Sequence, residues 1–367
     1  MILMNDFKAE PPELRDAMVE AVRRVLESGW YVLGNEGLAF ERQWASTCNV
    51  GHGVGVGNGM DAIEIALRAL DIGPGDEVIT TPMTAFATVL AILRAGATPV
   101  LADIDPETAL LSIDSAARCV SSKTKALLLV HLYGQVRNMN AWLDFCAKHG
   151  IKLVEDCAQA HLATWQGKVA GSFGVAGAYS FYPTKNLGTP GDAGMLVTGS
   201  QAISERAARL RNYGQSIRYQ HPELGMNSRL DEIHAAILLE RFKWLLDFTE
   251  RRQQIASSYR KGINNHLINQ LAPPEERGAH VYHLYAIICE KRESLQAHLQ
   301  QQNVQALIHY PICIHKQDPC LAIKRDPQGL SNSEHHAATC LSLPCHPQMT
   351  DVDVASVIAA VNSFNGS

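Results

Sequence analysis

Between residues 51 and 198 the sequence alternates short apolar runs with segments of helical periodicity, and this alternation restricts the possible folds more than any other feature. The runs stand at 78–80, 99–102, 126–130, 152–155, 178–181 and 195–198. Runs of this length, several rich in β-branched residues, are typical of strands that are buried on both faces. The segments between them include 88–95 and 138–149, which carry apolar residues at helical spacing. The pattern predicts an α/β fold, in which a central, mostly parallel sheet is sandwiched by helices and ligands bind near strand ends.

The character of the chain changes after Pro273-Pro274-Glu275-Glu276. Apolar runs at 281–288 and 304–310 predict strands, and 293–301 between them predicts a helix. A chain of 367 residues is long enough for two domains. We expect an N-terminal segment with a large domain over residues 1–244, and a smaller α+β domain over residues 245–367.

Composition excludes several classes of protein. The net charge is -5 and no basic stripe is present, so a nucleic-acid partner is not expected. The sequence has no run of membrane-spanning length and no signal-peptide pattern, which favours a cytoplasmic protein without a membrane partner. The nine cysteines are scattered without a CxxC pair and are interpreted as core residues. One possible set of metal ligands consists of His309, Cys313, His315, Cys345 and His346. Its spacing fits no standard zinc pattern, so no metal site is expected.

A glycine-rich run from Gly51 to Asp61 leads directly into a helical segment. A helix that begins behind small residues presents unpaired N–H groups and the positive end of its dipole, and can therefore hold a phosphate. The spacing Gly57-x-Gly59-x-x-Ala62 weakly matches a dinucleotide fingerprint. The next strand ends in threonines, however, where that fingerprint needs an acid. A single phosphate fits better.

Two charged residues, Asp156 and Lys185, lie at positions where a charge that only contacts solvent is unusual. Asp156 follows a buried strand, and is either a helix cap or buried ion-pair member, or a carboxylate that keeps a heterocyclic nitrogen protonated. Lys185 lies in a Gly/Pro-rich turn, and is either a solvated lysine or a desolvated amine available for Schiff-base chemistry. A phosphate seat, an acid and an amine are together what pyridoxal 5'-phosphate requires.

With these features the chain resembles a known family, the fold-type I aminotransferases of the DegT/DnrJ/EryC1/StrS family. The resemblance extends from about Leu14 to Pro344. The motifs that carry the resemblance are Gly73-Pro74-Gly75-Asp76-Glu77-Val78-Ile79, Glu155-Asp156-Cys157-Ala158-Gln159-Ala160-His161, Phe181-Tyr182-Pro183-Thr184-Lys185-Asn186-Leu187-Gly188 and Asn227-Ser228-Arg229-Leu230-Asp231-Glu232. The resemblance implies a sugar aminotransferase that uses pyridoxal 5'-phosphate and cycles through pyridoxamine 5'-phosphate. It also implies a homodimer whose active sites are shared between subunits.

The resemblance assigns roles to individual residues. Lys185 would form the Schiff base and move the proton, Asp156 would hold the pyridinium proton, and Gln159 would lie near the phenolic oxygen. The phosphate would be bound by the backbone of Gly59, Met60 and Asp61, by the hydroxyl of Ser180, and by Asn227 of the partner subunit. Met60 replaces a threonine found in many relatives. Ala85 stands where the stacking aromatic residue is usual, so Phe86 is the candidate for stacking on the ring.

The resemblance further implies an amino-acid donor, L-glutamate, and a keto-sugar acceptor that is usually nucleotide-linked, with the ketone at C3 or C4. The substrate-side candidates are Trp30, Tyr31, Leu33, Arg229, His309, Tyr310 and His315. The loop from Gly29 to Gly34 resembles that of members acting at C3. Sugar 3-dehydratases of the family carry histidine in place of Lys185, which argues against that activity. A cyclitol aminotransferase and a non-catalytic binding or regulatory protein remain as alternatives.

Overall fold

The computed structural model describes residues 1–366 as a mixed α/β chain. The α-helices are α1 (Pro12–Ser28), α2 (Asn35–Thr47), α3 (Gly59–Ala69), α4 (Phe86–Arg94), α5 (Ile113–Cys119), α6 (Met139–His149), α7 (Gln201–Leu210), α8 (Glu232–Phe242), α9 (Leu245–Gly262), α10 (Arg292–Gln301), α11 (Ser331–Thr339) and α12 (Asp351–Asn362). The strands are β1 (His52–Val56), β2 (Glu77–Thr80), β3 (Thr98–Leu101), β4 (Thr124–Val130), β5 (Lys152–Asp156), β6 (Thr164–Trp165), β7 (Lys168–Val169), β8 (Ala176–Ser180), β9 (Gly194–Thr198), β10 (Asn269–Gln270), β11 (Tyr285–Ile288), β12 (Lys324–Arg325) and β13 (Cys340–Leu343). No helix within the described residues is long and apolar enough to cross a bilayer.

The central sheet has the strand order β1-β9-β8-β5-β4-β2-β3-β12. Every neighbouring pair from β8 to β12 is parallel, which confirms the predicted mostly parallel sheet. The strand β9 alone runs antiparallel to both of its neighbours. An apolar run such as 195–198 does not reveal its direction, because a buried strand has the same pattern either way.

Helices cover both faces of this sheet, because successive side chains of a strand point to opposite sides. On β4, Ala126 and Leu128 pack toward α3, α4 and α7, while Leu127 and Leu129 pack toward α2, α6 and α8. Both layers are apolar and buried. Because these strands are parallel, their carboxyl ends lie together along one side of the sheet, called here the carboxyl edge, where polar side chains can gather.

A smaller sheet of order β10-β11-β13 packs with α9, α10 and α12. The predicted strand at 281–288 is shorter than expected, since only Tyr285–Ile288 pairs. The prediction of a strand at 304–310 is wrong, because that segment makes only isolated bridges, Ile2 with Val304 and Leu307 with Ser342. Residues 281–284 leave the sheet because they bond instead to the turn after β4: the N–H of Val281 donates to Gly134 O at 2.9 Å.

The short strand β12 comes from the C-terminal part of the chain, yet it pairs with β3 at the edge of the central sheet. Asp326, next to β12, is buried and accepts hydrogen bonds from Arg118 Nε at 3.0 Å and Nη2 at 2.6 Å. The predicted boundary at residue 244 lies between α8 and α9. The C-terminal part nevertheless contributes structure to the sheet of the N-terminal part.

Candidate active site

Asp156 ends β5 at the carboxyl edge of the sheet, and its side chain is buried. Its Oδ2 accepts the hydroxyl proton of Thr88 at 2.8 Å, and its Oδ1 accepts the N–H of Ala158 at 3.1 Å. Thr88 in turn lies 2.8 Å from the Thr84 hydroxyl. Within residues 1–366 no cationic side chain forms an ion pair with this carboxylate. A buried carboxylate that is hydrogen-bonded only to neutral donors is costly, although the Lys185 ammonium acts on it through space. The geometry therefore favours a cation brought by a ligand.

Lys185 lies in the turn that follows β8, and this turn is closed by the Lys185 N–H, which donates to Tyr182 O at 2.9 Å. The amine makes no hydrogen bond or ion pair with any residue from 1 to 366. Burial lowers the pKa of Lys185 to about 8, and the carboxylate of Asp156 opposes that shift. A partly desolvated amine without a partner is suited to attack a carbonyl carbon.

The start of α3 and the end of β8 meet closely. A Cβ added to Gly59 would lie 2.7 Å from Ser180 Cβ, so only glycine permits this approach. Gly59 and Met60 are the first two residues of α3, and their N–H groups have no helical acceptor. The N–H of Asp61 already donates to Asn58 Oδ1 at 2.9 Å. The predicted phosphate seat therefore narrows to the N–H groups of Gly59 and Met60 with the Ser180 hydroxyl.

These residues fit pyridoxal 5'-phosphate. The close approach at Gly59 gives a cradle for the phosphate, the buried Asp156 carboxylate lacks a cation, and the Lys185 amine lacks a partner. The three features come from separate elements, α3, β5 and the turn after β8, which the sheet brings to one edge.

Gln159 is held in one orientation on the same edge. Its Oε1 accepts the N–H of Tyr133 at 2.6 Å, and its Nε2 donates to the Tyr310 hydroxyl at 3.2 Å. Burial and the charge of Asp156 raise the pKa of Tyr310 to about 12, although its bond to Gln159 opposes the shift. The structure thus joins a predicted cofactor residue to a predicted sugar-side residue.

Three histidines near Lys185 are held neutral. Burial, with the lysine ammonium as the second cause, lowers the pKa of His161 to about 3 and that of His309 to about 4. The same two causes lower the pKa of His283 well below its usual value. His283 Nδ1 lies 3.3 Å from Asn186 Oδ1, and Asn186 Nδ2 donates to Val281 O at 3.0 Å. Because the amide oxygen can only accept, His283 carries its proton on Nδ1.

Phe86 packs at the start of α4 against a small apolar cluster that includes Val89, Ile314 and Leu330. His315 is buried near the same cluster and pairs with Glu334 at 2.9 Å. His315 thus forms its polar contact with α11 rather than with Asp156 or Gln159. Stacking by Phe86 and sugar contact by His315 stay predictions.

The other predicted substrate residues lie on an exposed surface. Trp30, Tyr31 and Leu33 are exposed, and so is Asn227. The loop that carries the aromatic residues is anchored by Glu232, whose carboxylate accepts the N–H groups of Gly34, Glu36 and Gly37 at 2.8–3.0 Å. Within the described residues, Trp30, Tyr31, Leu33 and Asn227 form no hydrogen bond with Lys185 or Asp156, and their contribution to the site of a partner subunit stays a prediction.

Arg229 lies beside this surface, with its guanidinium 5.4 Å from the centre of the Tyr213 ring. Its Nη1 donates to Asn212 Oδ1 at 3.3 Å. It forms no ion pair with a carboxylate in residues 1–366. An arginine without a carboxylate partner keeps its bidentate donors for an anion.

Sequence reasoning missed Thr88, Tyr133 and His283 as members of this site. Thr88 stands four residues after Thr84 at a helix start, and that spacing was the available signal. The contacts of Tyr133 and His283 join segments more than 25 residues apart, so no local pattern in the sequence reveals them.

A sequence profile of the DegT/DnrJ/EryC1/StrS aminotransferase family matches residues 12–362. The chain is 43% identical over 364 residues to a dTDP-3-amino-3,6-dideoxy-alpha-D-galactopyranose transaminase from Aneurinibacillus thermoaerophilus, with 99% of each chain covered. It is 38% identical over 363 residues to a protein named pleiotropic regulatory protein from Geobacillus stearothermophilus, with 98% of each covered.

Among solved structures, the fold is similar to that of S. venezuelae DesV in complex with a ketimine intermediate. The TM-score is 0.94 at 39% sequence identity, and the match covers 98% of this chain and 97% of that one. The likeness therefore extends over nearly the whole chain.

Proposed function

Because the chain belongs to the DegT/DnrJ/EryC1/StrS family of pyridoxal 5'-phosphate-dependent sugar aminotransferases, we propose that it moves an amino group from L-glutamate to C3 of a keto-sugar linked to a nucleotide. One observation carries the proposal: the partnerless amine of Lys185 and the buried, cation-free carboxylate of Asp156 lie at one sheet edge. The acceptor carbon follows the name of the A. thermoaerophilus relative and the resemblance of the loop from Gly29 to Gly34.

The chain's own residues divide the work. When bound, the cofactor supplies a carbonyl for the lysine amine and a ring that accepts electrons. Asp156 would hold a proton on the ring nitrogen, and the amine of Lys185 would carry a proton between the substrate carbon and the cofactor. The N–H groups of Gly59 and Met60 and the Ser180 hydroxyl bind the phosphate.

In this proposal the site contains residues of two subunits. His309 and Tyr310 approach the sugar from within the chain, and the exposed Trp30 and Tyr31 suit contact with the sugar in the site of the partner. The exposed Asn227 suits the cofactor phosphate in that same site. Arg229 suits either the carboxylate of the donor or the pyrophosphate of the sugar nucleotide, because both accept bidentate bonds.

The test starts from Lys185→Ala, assayed with L-glutamate and a panel of dTDP- and UDP-linked 3-keto and 4-keto sugars, with aminated product read by mass. The variant is expected to bind pyridoxamine 5'-phosphate and to lose at least about a thousandfold in turnover. Lys243→Ala, at an exposed lysine, is the control and is expected to keep full activity. Full activity in Lys185→Ala would contradict the assignment.

A regulatory role without turnover is the second candidate, because the G. stearothermophilus relative carries a regulatory name. The presence of both Lys185 and Asp156 favours catalysis. An absorbance scan separates the two: a catalytic site gives a band near the visible edge that borohydride abolishes. The panel also contains inosose, which is a cyclitol acceptor. If inosose is aminated in preference to every sugar nucleotide, the proposed acceptor class is wrong and a cyclitol takes its place.

A further inference from the structure

We propose that Tyr133 is a positioning residue that sets the cofactor side and the sugar side of the site in one geometry. This role rests on the proposed function, because it assigns His309 and Tyr310 to the sugar. Tyr133 lies in the turn after β4 and is buried, with 1% of its surface exposed.

Every polar atom of Tyr133 is used, and each reaches a different part of the chain. Its N–H donates to Gln159 Oε1 at 2.6 Å, and its carbonyl accepts the N–H of Leu284 at 3.4 Å. Its hydroxyl donates to His309 O at 2.6 Å and lies 2.8 Å from His336 Nε2. Through its backbone and its hydroxyl, Tyr133 thus connects the loop after β5, the segment before β11, the sugar-side segment and α11.

The donors in this network follow from the acceptors. A carbonyl only accepts, so the single hydroxyl proton of Tyr133 is used on His309 O. His336 Nε2 must therefore donate to the Tyr133 oxygen. Burial lowers the pKa of His336 to about 4, so the neutral ring with its proton on Nε2 is present at neutral pH. The hydroxyl holds the His309 carbonyl in place, and His336 holds the hydroxyl.

The backbone N–H of Tyr133 has a separate task. By occupying Gln159 Oε1 it turns the Nε2 of Gln159 toward the Tyr310 hydroxyl. The second proton of Gln159 Nε2 remains available for a hydrogen bond on the cofactor side of the site. Tyr133 adopts a left-handed conformation, with φ of 62°, which a non-glycine residue keeps only when its surroundings determine it.

The two tasks can be separated by Tyr133→Phe, which removes the hydroxyl and keeps the N–H. The matched control is Tyr259→Phe. Tyr259 is also fully buried and its hydroxyl also donates to a backbone carbonyl, Pro344 O at 2.7 Å, but it lies in the core of the small sheet. Both variants lose one buried tyrosine hydroxyl bond to a carbonyl, so a general loss of stability appears in both.

Three measurements are made on the holoenzymes. The first is the single-turnover rate with L-glutamate alone, the second is KM for the best keto-sugar of the panel, and the third is the calorimetric affinity for dTDP-6-deoxy-D-galactose, which has a hydroxyl at C3 and cannot be aminated. For Tyr133→Phe we expect KM and the calorimetric Kd to rise about tenfold, because the His309 carbonyl loses its short hydrogen bond and keeps only the longer one from Cys340 Sγ at 3.7 Å. The glutamate rate is expected to stay within about twofold, because Gln159 keeps its partner. Tyr259→Phe is expected to change none of the three.

Two results would overturn the positioning role: equal slowing of both half-reactions in Tyr133→Phe, or the same three values in Tyr133→Phe and Tyr259→Phe. Neither result would contradict the proposed function, because the wild-type chain would still aminate sugars. Absence of sugar turnover by the wild type with an active glutamate half-reaction would overturn the proposed acceptor instead. Should Tyr133→Phe fail to fold, His336→Leu removes only the second bond to the hydroxyl. It is expected to raise KM in the same direction by about threefold, and an unchanged KM would contradict the proposal.

Discussion

At the scale of single residues, the proposed chemistry depends on the amine of Lys185 and the carboxylate of Asp156. Burial lowers the pKa of Lys185 to about 8, whereas the Asp156 carboxylate raises it. The fraction of free amine in the cofactor-free protein therefore falls about tenfold for each pH unit below 8 and levels off above it. We expect the rate at which added pyridoxal 5'-phosphate is captured, trapped by borohydride and read by mass, to follow this curve.

Asp156→Asn provides the control for this pH dependence, because the ionisation of the cofactor itself is the same in both proteins. Removing the carboxylate removes the effect that opposes desolvation, so the midpoint should move to lower pH. A wild-type rate that keeps rising through pH 10, as for a solvated lysine, would contradict the burial of this amine. So would a midpoint that Asp156→Asn leaves in place.

At the scale of elements, the close contact of α3 with β8 makes the phosphate seat sensitive to a single carbon. In Gly59→Ala the added Cβ would lie 2.7 Å from Ser180 Cβ, which must displace either the helix start or the serine hydroxyl. We expect cofactor affinity, measured by absorbance titration of the stripped protein, to fall at least about tenfold. Gly199→Ala is the control, since nothing lies within 4 Å of a Cβ there. Equal affinities in the two variants would contradict a phosphate seat at α3.

The elements also show what the sequence could and could not predict. Apolar runs and helical periodicity are local. They located β2, β3, β4, β5 and β8 of the parallel sheet and placed Asp156 and Lys185 near strand ends, but they did not reveal the short strand β12. The direction of β9 has no local signature. The run at 304–310 failed as a strand because its apolar residues pack without a continuous strand partner. Tyr133 went unassigned because its role lies in contacts with Gln159, His309 and His336, which are distant in sequence.

At the scale of the whole molecule, the exposed position of Asn227 and of the aromatic loop leads to a test of shared sites. If Asn227 serves the neighbouring site, Lys185→Ala and Asn227→Ala chains complement each other, since a mixed dimer contains one site with both residues intact. Co-expression of differently tagged chains is expected to restore about one quarter of the wild-type activity per total dimer. Light scattering should give about 80 kDa, twice the 40.2 kDa chain.

Two outcomes would contradict shared sites. One is a mass near that of a single chain. The other is a mixed preparation no more active than the mean of the two parent variants, which is what sites confined to one subunit would give.

The pairing of β12 with β3 has a consequence for synthesis on the ribosome. The other edge of the central sheet is complete once residue 198 has emerged, since β1 pairs with β9. The β3 edge is covered only after residues 324–325 have been synthesised and have paired with it. Through most of translation the nascent chain therefore carries an open parallel edge, which is a template for pairing with other chains. The strand β12 is made after every other strand of the central sheet and covers this edge, so termination before residue 324 would yield a protein prone to aggregate.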